Sequence, residues 1–355
     1  MSDTNLDIVI ADDSKMHRLI LEKCISKVPN ARLVGQAENG HEALALLEAH
    51  DPDLLILDLM MPTMDGIETI RTLTKKKSRT GVIIVSGVNF SDAESTLHAL
   101  EMGAFDFIVK RRNGDADLDL TEAIPRSIEA FRQSRSILPP VFYNLPTALE
   151  PTGPKEKPEA VVIATSTGGP NALAEVIPHL PADLGVPVYI VQHMPTGFTD
   201  HLSRSLNKKS KLTVHEAQEG QSVGPNEVFL APGGQHMLCE GTASEPVIAL
   251  NEDARVHSCR PAADLLFNSA VKLYGPRTLA VVMTGMGQDG RDGVREIRRE
   301  GGYCIVQDPE SCVVYGMPGS VVDDGGADEI VPLDKLAKRI AELVKFSAGS
   351  RRISA

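Results

Sequence analysis

Short apolar runs alternate with amphipathic stretches through the first third of the chain. Five of these runs have the length and composition of buried strands, at residues 8–11, 33–34, 54–57, 82–85 and 105–109. Between them, apolar residues recur every three or four positions, which predicts helices. The apolar face of the first predicted helix carries Met16, Leu19, Ile20, Cys24 and Val28. Strands that alternate with helices are typical of a parallel sheet with right-handed crossovers.

The same alternation resumes at residue 160 and continues to about residue 343. Strands are predicted at 161–164, 187–191, 279–283 and 305–306, and helices behind Pro170, over 265–273 and over 333–343. Two short β-like pieces, 227–230 and 247–250, predict a hairpin between the second and third of these strands. The whole pattern predicts an α/β protein with two doubly wound parallel-sheet domains.

Between the two parts the periodicity stops in a proline-rich stretch, which predicts an extended interdomain linker. Its prolines are Pro139, Pro140, Pro146, Pro151, Pro154 and Pro158. We therefore expect a first domain over 1–134, the linker over 135–158, a second domain over 159–347 and a tail over 348–355.

Charge and composition narrow the functional classes. The net charge of −12 is spread over both halves, which argues against a nucleic-acid partner. The longest apolar runs are too short to span a bilayer, and the N-terminus lacks a signal-peptide pattern, so no membrane insertion is expected. The five cysteines are scattered without a CxxC pair, which favours a reducing compartment. We expect a cytoplasmic protein.

Polar residues follow the predicted strands of the first domain: Asp12, Asp13, Asp58, Ser86 and Lys110. The carboxyl edge of an open α/β sheet is where ligands bind. Three carboxylates crowded there would repel one another unless a divalent cation, most plausibly Mg²⁺, neutralised them. A hydroxyl and an ammonium group are suited to holding a phosphoryl oxygen.

These residues, together with the segment Leu57-Asp-Leu-Met-Met-Pro-Thr-Met-Asp-Gly66, resemble the receiver domain of bacterial response regulators. The resemblance covers about the first 125 residues and implies a flavodoxin-like fold. It also implies that Asp58 is the phosphoacceptor and that Asp12, Asp13 and Asp58 bind Mg²⁺.

The same resemblance implies that Ser86 and Lys110 read the phosphoryl group and that Phe107 is the switch aromatic. One position departs from the family pattern. The family usually has proline after the lysine, whereas Arg111 follows Lys110 here.

Three predicted strands of the second domain end near Ser166, His193 and Asp289. A histidine can take a serine's proton, and an aspartate can orient the imidazole and stabilise its charged form. The position of Ser166, between a strand and a helix, would equally suit a phosphate. His236 and His257 are competing choices for the base, and Asp289 would also suit an Asp-Gly turn.

Four segments of this domain resemble the CheB-type protein-glutamate methylesterases of bacterial chemotaxis. The four segments are Ala164-Thr-Ser-Thr-Gly-Gly169, Gln192-His-Met-Pro-Thr-Gly-Phe-Thr199, Arg260-Pro-Ala-Ala-Asp-Leu-Leu-Phe267 and Thr284-Gly-Met-Gly-Gln-Asp-Gly290. The resemblance implies a Rossmann-like methylesterase domain that needs no cofactor. Its implied residues are Ser166 as nucleophile, His193 as general base, Asp289 as partner of the histidine and the Met286 backbone N–H in the oxyanion hole.

What this family resemblance implies is hydrolysis of glutamate methyl esters on chemoreceptors, with glutamine deamidation as a second activity. It further implies that phosphorylation by the chemotaxis histidine kinase relieves inhibition by the receiver.

Two other hypotheses belong to different classes. One is a phospho-dependent interaction module without catalysis, against which the intact Ser166, His193 and Asp289 argue. The other is a dinucleotide-binding domain at residues 167–169, but no G-x-G-x-x-G follows the strand there.

Overall fold

The computed structural model describes residues 5–87, 90–110, 120–135 and 153–345, which belong to two compact units, 1–136 and 137–355. Arg111, the linker residues 136–152 and the predicted tail over 348–355 lie outside the described residues. The predicted domain boundaries therefore stay predictions.

The first unit is a parallel sheet with helices between its strands. Its elements are β1 (Leu6–Ala11), α1 (Lys15–Ile25), β2 (Ala31–Ala37), α2 (Gly40–His50), β3 (Leu54–Asp58), α3 (Gly66–Lys76), β4 (Gly81–Ser86), α4 (Phe90–Glu101), β5 (Asp106–Val109) and α5 (Leu120–Arg135). All strand pairs are parallel, in the order β2-β1-β3-β4-β5. All five strands predicted for this domain are confirmed.

The predicted apolar face of α1 is partly wrong. Cys24 and Val28 are buried as predicted, but Met16 and Leu19 are 72% and 56% exposed. The helix also buries Arg18, Leu21 and Ile25, which were not predicted. The reason is that the Arg18 side chain, though charged, is held inward by hydrogen bonds to backbone carbonyl groups of the loop after β1. Hydrophobic periodicity cannot register a buried cation, so it placed the face about one residue out of register.

The second unit has a larger parallel sheet and a separate hairpin. Its elements are β6 (Ala160–Thr165), α6 (Gly169–Val176), β7 (Val188–Gln192), α7 (Phe198–Lys209), β8 (Thr213–Glu216), β9 (Glu227–Leu230), β10 (His236–Thr242), β11 (Glu245–Asn251), α8 (Ala263–Tyr274), β12 (Thr278–Val282), α9 (Arg291–Arg299), β13 (Tyr303–Gln307), α10 (Gly316–Asp323), β14 (Glu329–Val331) and α11 (Leu333–Lys345). The parallel sheet has the order β14-β13-β12-β6-β7-β9-β8. The α/β class with two parallel sheets is confirmed.

The hairpin prediction is wrong for one of its two pieces. Residues 227–230 form β9, which pairs in parallel with β7 and with β8 inside the main sheet. Residues 247–250 lie in β11, which pairs antiparallel with β10. Because β8 and β10 mix polar and apolar residues, their apolar pattern is weak and the true partners were missed.

Both sheets place strand ends around a switch point, where the strand order reverses and ligands bind in folds of this kind. In the first sheet this point lies between β1 and β3, and in the second between β6 and β12. The strands at these points are buried on both faces, as continuous apolar runs require. The polar residues that follow them therefore stand on rigid supports.

Candidate active sites

The first candidate site is an acidic cluster at the carboxyl edge of the five-stranded sheet. Asp58 ends β3, and Asp12 and Asp13 follow β1, the strand beside it. One carboxylate oxygen from each of the three lies within 4.8 Å of those of the other two. Lys110, directly after β5, places its Nζ 2.7 Å from Asp12 Oδ2 and 2.5 Å from Asp58 Oδ2. The structure thus brings the three acidic residues and the lysine together.

The chemistry of this cluster fits a hard divalent cation. Asp12 and Asp58 are buried, whereas Asp13 is exposed. Burial raises the pKa of Asp58, and the ammonium group of Lys110 opposes this effect by favouring the carboxylate. Closely spaced carboxylate oxygens are the ligands that Mg²⁺ prefers. Asp12, Asp13 and Asp58 would therefore hold the cation that receivers use.

Ser86 and Phe107 lie on the two strands next to this cluster. Ser86 ends β4, and its buried Oγ has no hydrogen-bond partner among the described residues. A phosphoryl oxygen would supply the missing partner. Phe107 lies in β5, half-buried, and pairs with Ile84 of β4.

Arg18 supports the acidic loop and has no role in the predictions from sequence. Its Nη1 donates to the carbonyl oxygens of Asp12 (2.8 Å) and Asp13 (3.3 Å), and its Nη2 donates to Glu38 Oε1 (2.5 Å). The guanidinium group thereby fixes the backbone that carries two carboxylates. The available signal was a cation on the apolar side of α1, five and six residues after the acidic pair.

The second candidate site lies at the switch point of the seven-stranded sheet. Ser166 follows β6, His193 follows β7, and Asp289 lies in the loop between β12 and α9. All three are shielded from water, with 8% of Ser166, 10% of the His193 side chain and 2% of the Asp289 side chain exposed. Charges interact more strongly in such a site than at the surface.

His193 and Asp289 form a close pair, with Nε2 2.7 Å from Oδ2. Asp289 Oδ2 also accepts from the N–H of Ala263 (2.6 Å), and Oδ1 accepts from the N–H groups of Asp264 and Gly290 (3.0 Å each). Burial opposes ionisation of Asp289, but the hydrogen bonds from His193 and from the backbone outweigh it and lower the pKa. The ionised carboxylate holds Nε2 and leaves Nδ1 as the basic atom of the ring.

Gln192, the last residue of β7, ties the backbones of the serine and the histidine together. Its Nε2 donates to the carbonyl oxygens of Ser166 and His193, at 3.0 Å each, and its Oε1 accepts from Thr165 Oγ1 at 2.6 Å. The Ser166 N–H donates to the Thr284 carbonyl oxygen at 3.0 Å. The ends of β6, β7 and β12 are thereby linked into one framework.

The turn after β12 approaches the serine closely because Gly285 has no side chain. A Cβ atom there would lie 2.8 Å from Ser166 Cβ and would overlap Met317 Sδ. Beside Ser166, the backbone N–H groups of Thr167 and Met286 donate to no acceptor among the described residues. Free N–H groups around a serine at the start of α6 have the arrangement that stabilises an oxyanion.

The two competing histidines have other partners. His236 accepts from the Ala262 N–H through Nδ1 (3.1 Å), and its Nε2 lies 3.2 Å from the Ala254 carbonyl oxygen. His257 Nε2 lies 3.0 Å from Asp264 Oδ2. Neither contacts Asp289 by a hydrogen bond, which favours His193 as the functional histidine.

The contact between Ser166 and His193 stays a prediction. Ser166 Oγ makes no hydrogen bond within the part of the chain that the structure describes. His193 Nδ1 instead lies 3.5 Å from Cys259 Sγ, a neighbour that was not predicted from the sequence. Cys259 stands just before the Arg260-Pro261 motif, and this position was the only available signal.

Comparison with known proteins places both units in described families. The model of the CheB methylesterase family matches residues 161–340, and that of the response regulator receiver domain matches residues 8–121. A Thermotoga maritima protein named protein-glutamate methylesterase/protein-glutamine glutaminase is 37% identical over 97% of this chain and 100% of its own length. A Pseudomonas aeruginosa protein named protein-glutamate methylesterase/protein-glutamine glutaminase 2 is also 37% identical, over 98% of this chain and 99% of its own length.

The second unit is similar to a solved catalytic domain. The crystal structure of the Thermotoga maritima CheB methylesterase catalytic domain is 41% identical, with a TM-score of 0.52. The match covers 53% of this chain and 99% of that domain.

Proposed function

The chain belongs to the CheB methylesterase family, and from this premise we propose that it hydrolyses glutamate methyl esters on chemoreceptors to glutamate and methanol. The observation that carries this proposal is the buried His193–Asp289 pair beside Ser166 at the switch point of the sheet. The names of the relatives support both the ester hydrolysis and a second activity on protein glutamine.

The first half of the reaction uses the serine as a nucleophile. Ser166 Oγ attacks the ester carbonyl carbon and gives its proton to Nδ1 of His193, because Nε2 is held by Asp289. The N–H groups of Thr167 and Met286 stabilise the oxyanion. The C–O bond to the methoxy group then breaks, and His193 returns the proton to the leaving oxygen, releasing methanol.

The second half regenerates the enzyme. His193 takes a proton from water, whose oxygen attacks the glutamyl–serine ester. The bond to Ser166 Oγ then breaks, His193 returns the proton to Ser166 Oγ, and glutamate is released. A glutamine side chain would enter the same cycle with ammonia as the leaving group. Deamidation therefore needs no residue beyond those of ester hydrolysis.

The receiver is proposed to control this activity through phosphorylation of Asp58 by the chemotaxis histidine kinase. Mg²⁺ bound by Asp12, Asp13 and Asp58 would neutralise negative charge where the phosphoryl group arrives. Lys110 would pair with one phosphoryl oxygen, and Ser86 Oγ, which has no partner among the described residues, would donate to another. Phe107 would repack as the switch aromatic.

No described helix has the length and hydropathy to cross a bilayer. We propose that the protein acts in the cytoplasm, where the receptor signalling regions and the histidine kinase would meet it.

Methanol release from a methyl-esterified receptor signalling fragment tests the function. The full chain with Mg²⁺ is expected to release methanol, and acetyl phosphate is expected to increase the rate. If methanol is released at the same rate with and without acetyl phosphate, the proposed esterase activity stands and the proposed control by the receiver is contradicted. The absence of release under both conditions would contradict the esterase.

Replacing the proposed phosphoacceptor should separate the switch from the catalyst. In Asp58→Asn, stimulation by acetyl phosphate should disappear, because the nucleophilic carboxylate is gone, while basal methanol release continues. Asp65→Asn is the matched control: Asp65 caps α3 through Oδ1, and asparagine caps a helix equally well. An Asp58→Asn protein that is still fully stimulated would contradict the assignment of Asp58.

A further inference from the structure

Cys259 contacts the nitrogen of His193 that the reaction needs. Asp289 occupies Nε2, so Nδ1 must receive the Ser166 proton, and Cys259 Sγ lies 3.5 Å from Nδ1. The atom of His193 that must accept the Ser166 proton therefore has a thiol as its neighbour. The same sulfur also lies 3.4 Å from the His257 carbonyl oxygen, a second acceptor for the thiol proton. The reaction as proposed above gives Cys259 no part.

The backbone places this thiol in a defined position. Val256 and Cys259 exchange two hydrogen bonds, N–H to carbonyl oxygen at 3.1 and 2.8 Å, and so close a tight turn. The two residues inside the turn, His257 and Ser258, have φ angles of 50° and 62°, which non-glycine residues seldom adopt. Such conformations cost free energy and persist where the surrounding structure enforces them.

Resting on the proposed function, we propose that Cys259 is a positioning residue for the esterase: its thiol shares a proton with Nδ1 of His193 and withholds the base from Ser166 until this contact breaks. In the held form the S–H bond is broken and an N–H bond is formed, giving a thiolate beside an imidazolium. No oxidation or reduction is involved. The base becomes available when Nδ1 gives this proton to solvent, which leaves a neutral imidazole with a free lone pair on Nδ1.

The electrostatic surroundings of His193 agree with this arrangement. Burial disfavours the charged imidazole, but the Cys259 sulfur and the Asp289 carboxylate outweigh it and raise the pKa of His193 to about 10. Asp264 and His236 interact electrostatically with Asp289. Because those groups remain in every variant below, a change in the titration of His193 would report on Cys259.

The test compares two replacements of the thiol in the full chain. Cys259→Ser keeps the size and a hydrogen-bonding group but does not ionise, and Cys259→Ala removes both. Cys304→Ala is the matched control, because Cys304 is a fully buried thiol of the same unit. Its Sγ has one hydrogen-bond partner within the described structure, the Ile305 backbone carbonyl oxygen at 3.8 Å.

Both Cys259 variants should move the acid limb of the kcat/KM profile to lower pH and leave the alkaline plateau unchanged. Below the wild-type midpoint, kcat/KM should rise about tenfold for each unit by which the midpoint falls. A Cys259→Ser profile identical to wild type, or a loss of activity at every pH, would overturn the proposal. Cys304→Ala should retain the wild-type midpoint.

A second measurement needs no substrate. The imidazole ¹⁵N resonances of His193, assigned by their loss in His193→Gln, should titrate at lower pH in both Cys259 variants than in the wild type. An unchanged midpoint would overturn the proposal even if the esterase is active. If the wild type released no methanol at any pH, the proposed function would fail, and this titration would still decide the role of Cys259.

Discussion

Ser166→Ala is expected to reduce methanol release by about 10⁴- to 10⁶-fold, the range seen when a serine nucleophile is removed from a triad. Alanine has no oxygen with which to form the glutamyl–serine ester. Because Ser166 Oγ makes no hydrogen bond within the described structure, the variant should unfold at nearly the wild-type temperature. Methanol release and thermal unfolding, measured on the same preparation, would separate these effects.

Ser320→Ala provides the control for this experiment. Its hydroxyl donates to the Met317 carbonyl oxygen at 2.8 Å inside α10 and lies outside the proposed reaction. The control should keep wild-type activity. A Ser166→Ala enzyme with more than a small fraction of the activity would remove Ser166 as the nucleophile and would require another residue for that role.

Asp289→Asn is expected to cost about 10³- to 10⁴-fold in activity, because an amide favours the wrong imidazole tautomer. If the amide oxygen of the new Asn accepts the hydrogen bonds from the N–H groups of Asp264 and Gly290, the amide NH₂ group must face the Ala263 N–H and His193 Nε2. Nε2 then has to accept, the proton moves to Nδ1, and the base towards Ser166 is lost.

The same substitution should also lower the free energy of unfolding by about 1–3 kcal/mol, because the buried Ala263 N–H loses its acceptor. Asp292→Asn, three residues further along and on α9, is the control: the Asp292 side chain is 45% exposed and pairs with Arg291 and Arg295. Exposed pairs of this kind contribute little. Asp292→Asn should therefore have nearly the wild-type rate of methanol release and nearly the wild-type free energy of unfolding, as measured by chemical denaturation. An active Asp289→Asn enzyme would contradict the orienting role.

The sequence predicted the strands at the switch points well, because strands buried on both faces leave uninterrupted apolar runs. β3 and β6 are fully buried and were both recognised. β8 was not recognised, because its residues Thr213 to Glu216 mix polar and apolar side chains and are buried only in part, so they form no continuous apolar run. Parallel pairing at a sheet edge is decided by the tertiary fold.

Some residues of the candidate sites could likewise be predicted from the sequence, and others could not. Residues that follow a strand, such as Asp58 and Ser166, can be found from sequence because the topology fixes where strand ends meet. Arg18 and Gln192 act through hydrogen bonds to backbone carbonyl groups, and such bonds leave no residue pattern. The contact of Cys259 with His193 depends on a backbone turn with positive φ angles at two non-glycine residues, which propensities argue against.

The bonds made by Gln192 bear on how any regulator can act on the esterase. Since one amide group bonds the carbonyl oxygens of both Ser166 and His193, pulling the two apart would expose three buried polar groups at once. Disassembling the catalytic machinery is thus a costly way to silence it. A switch that leaves it assembled and alters how often substrate reaches it costs far less. Phosphorylation should then multiply the rate equally at every pH.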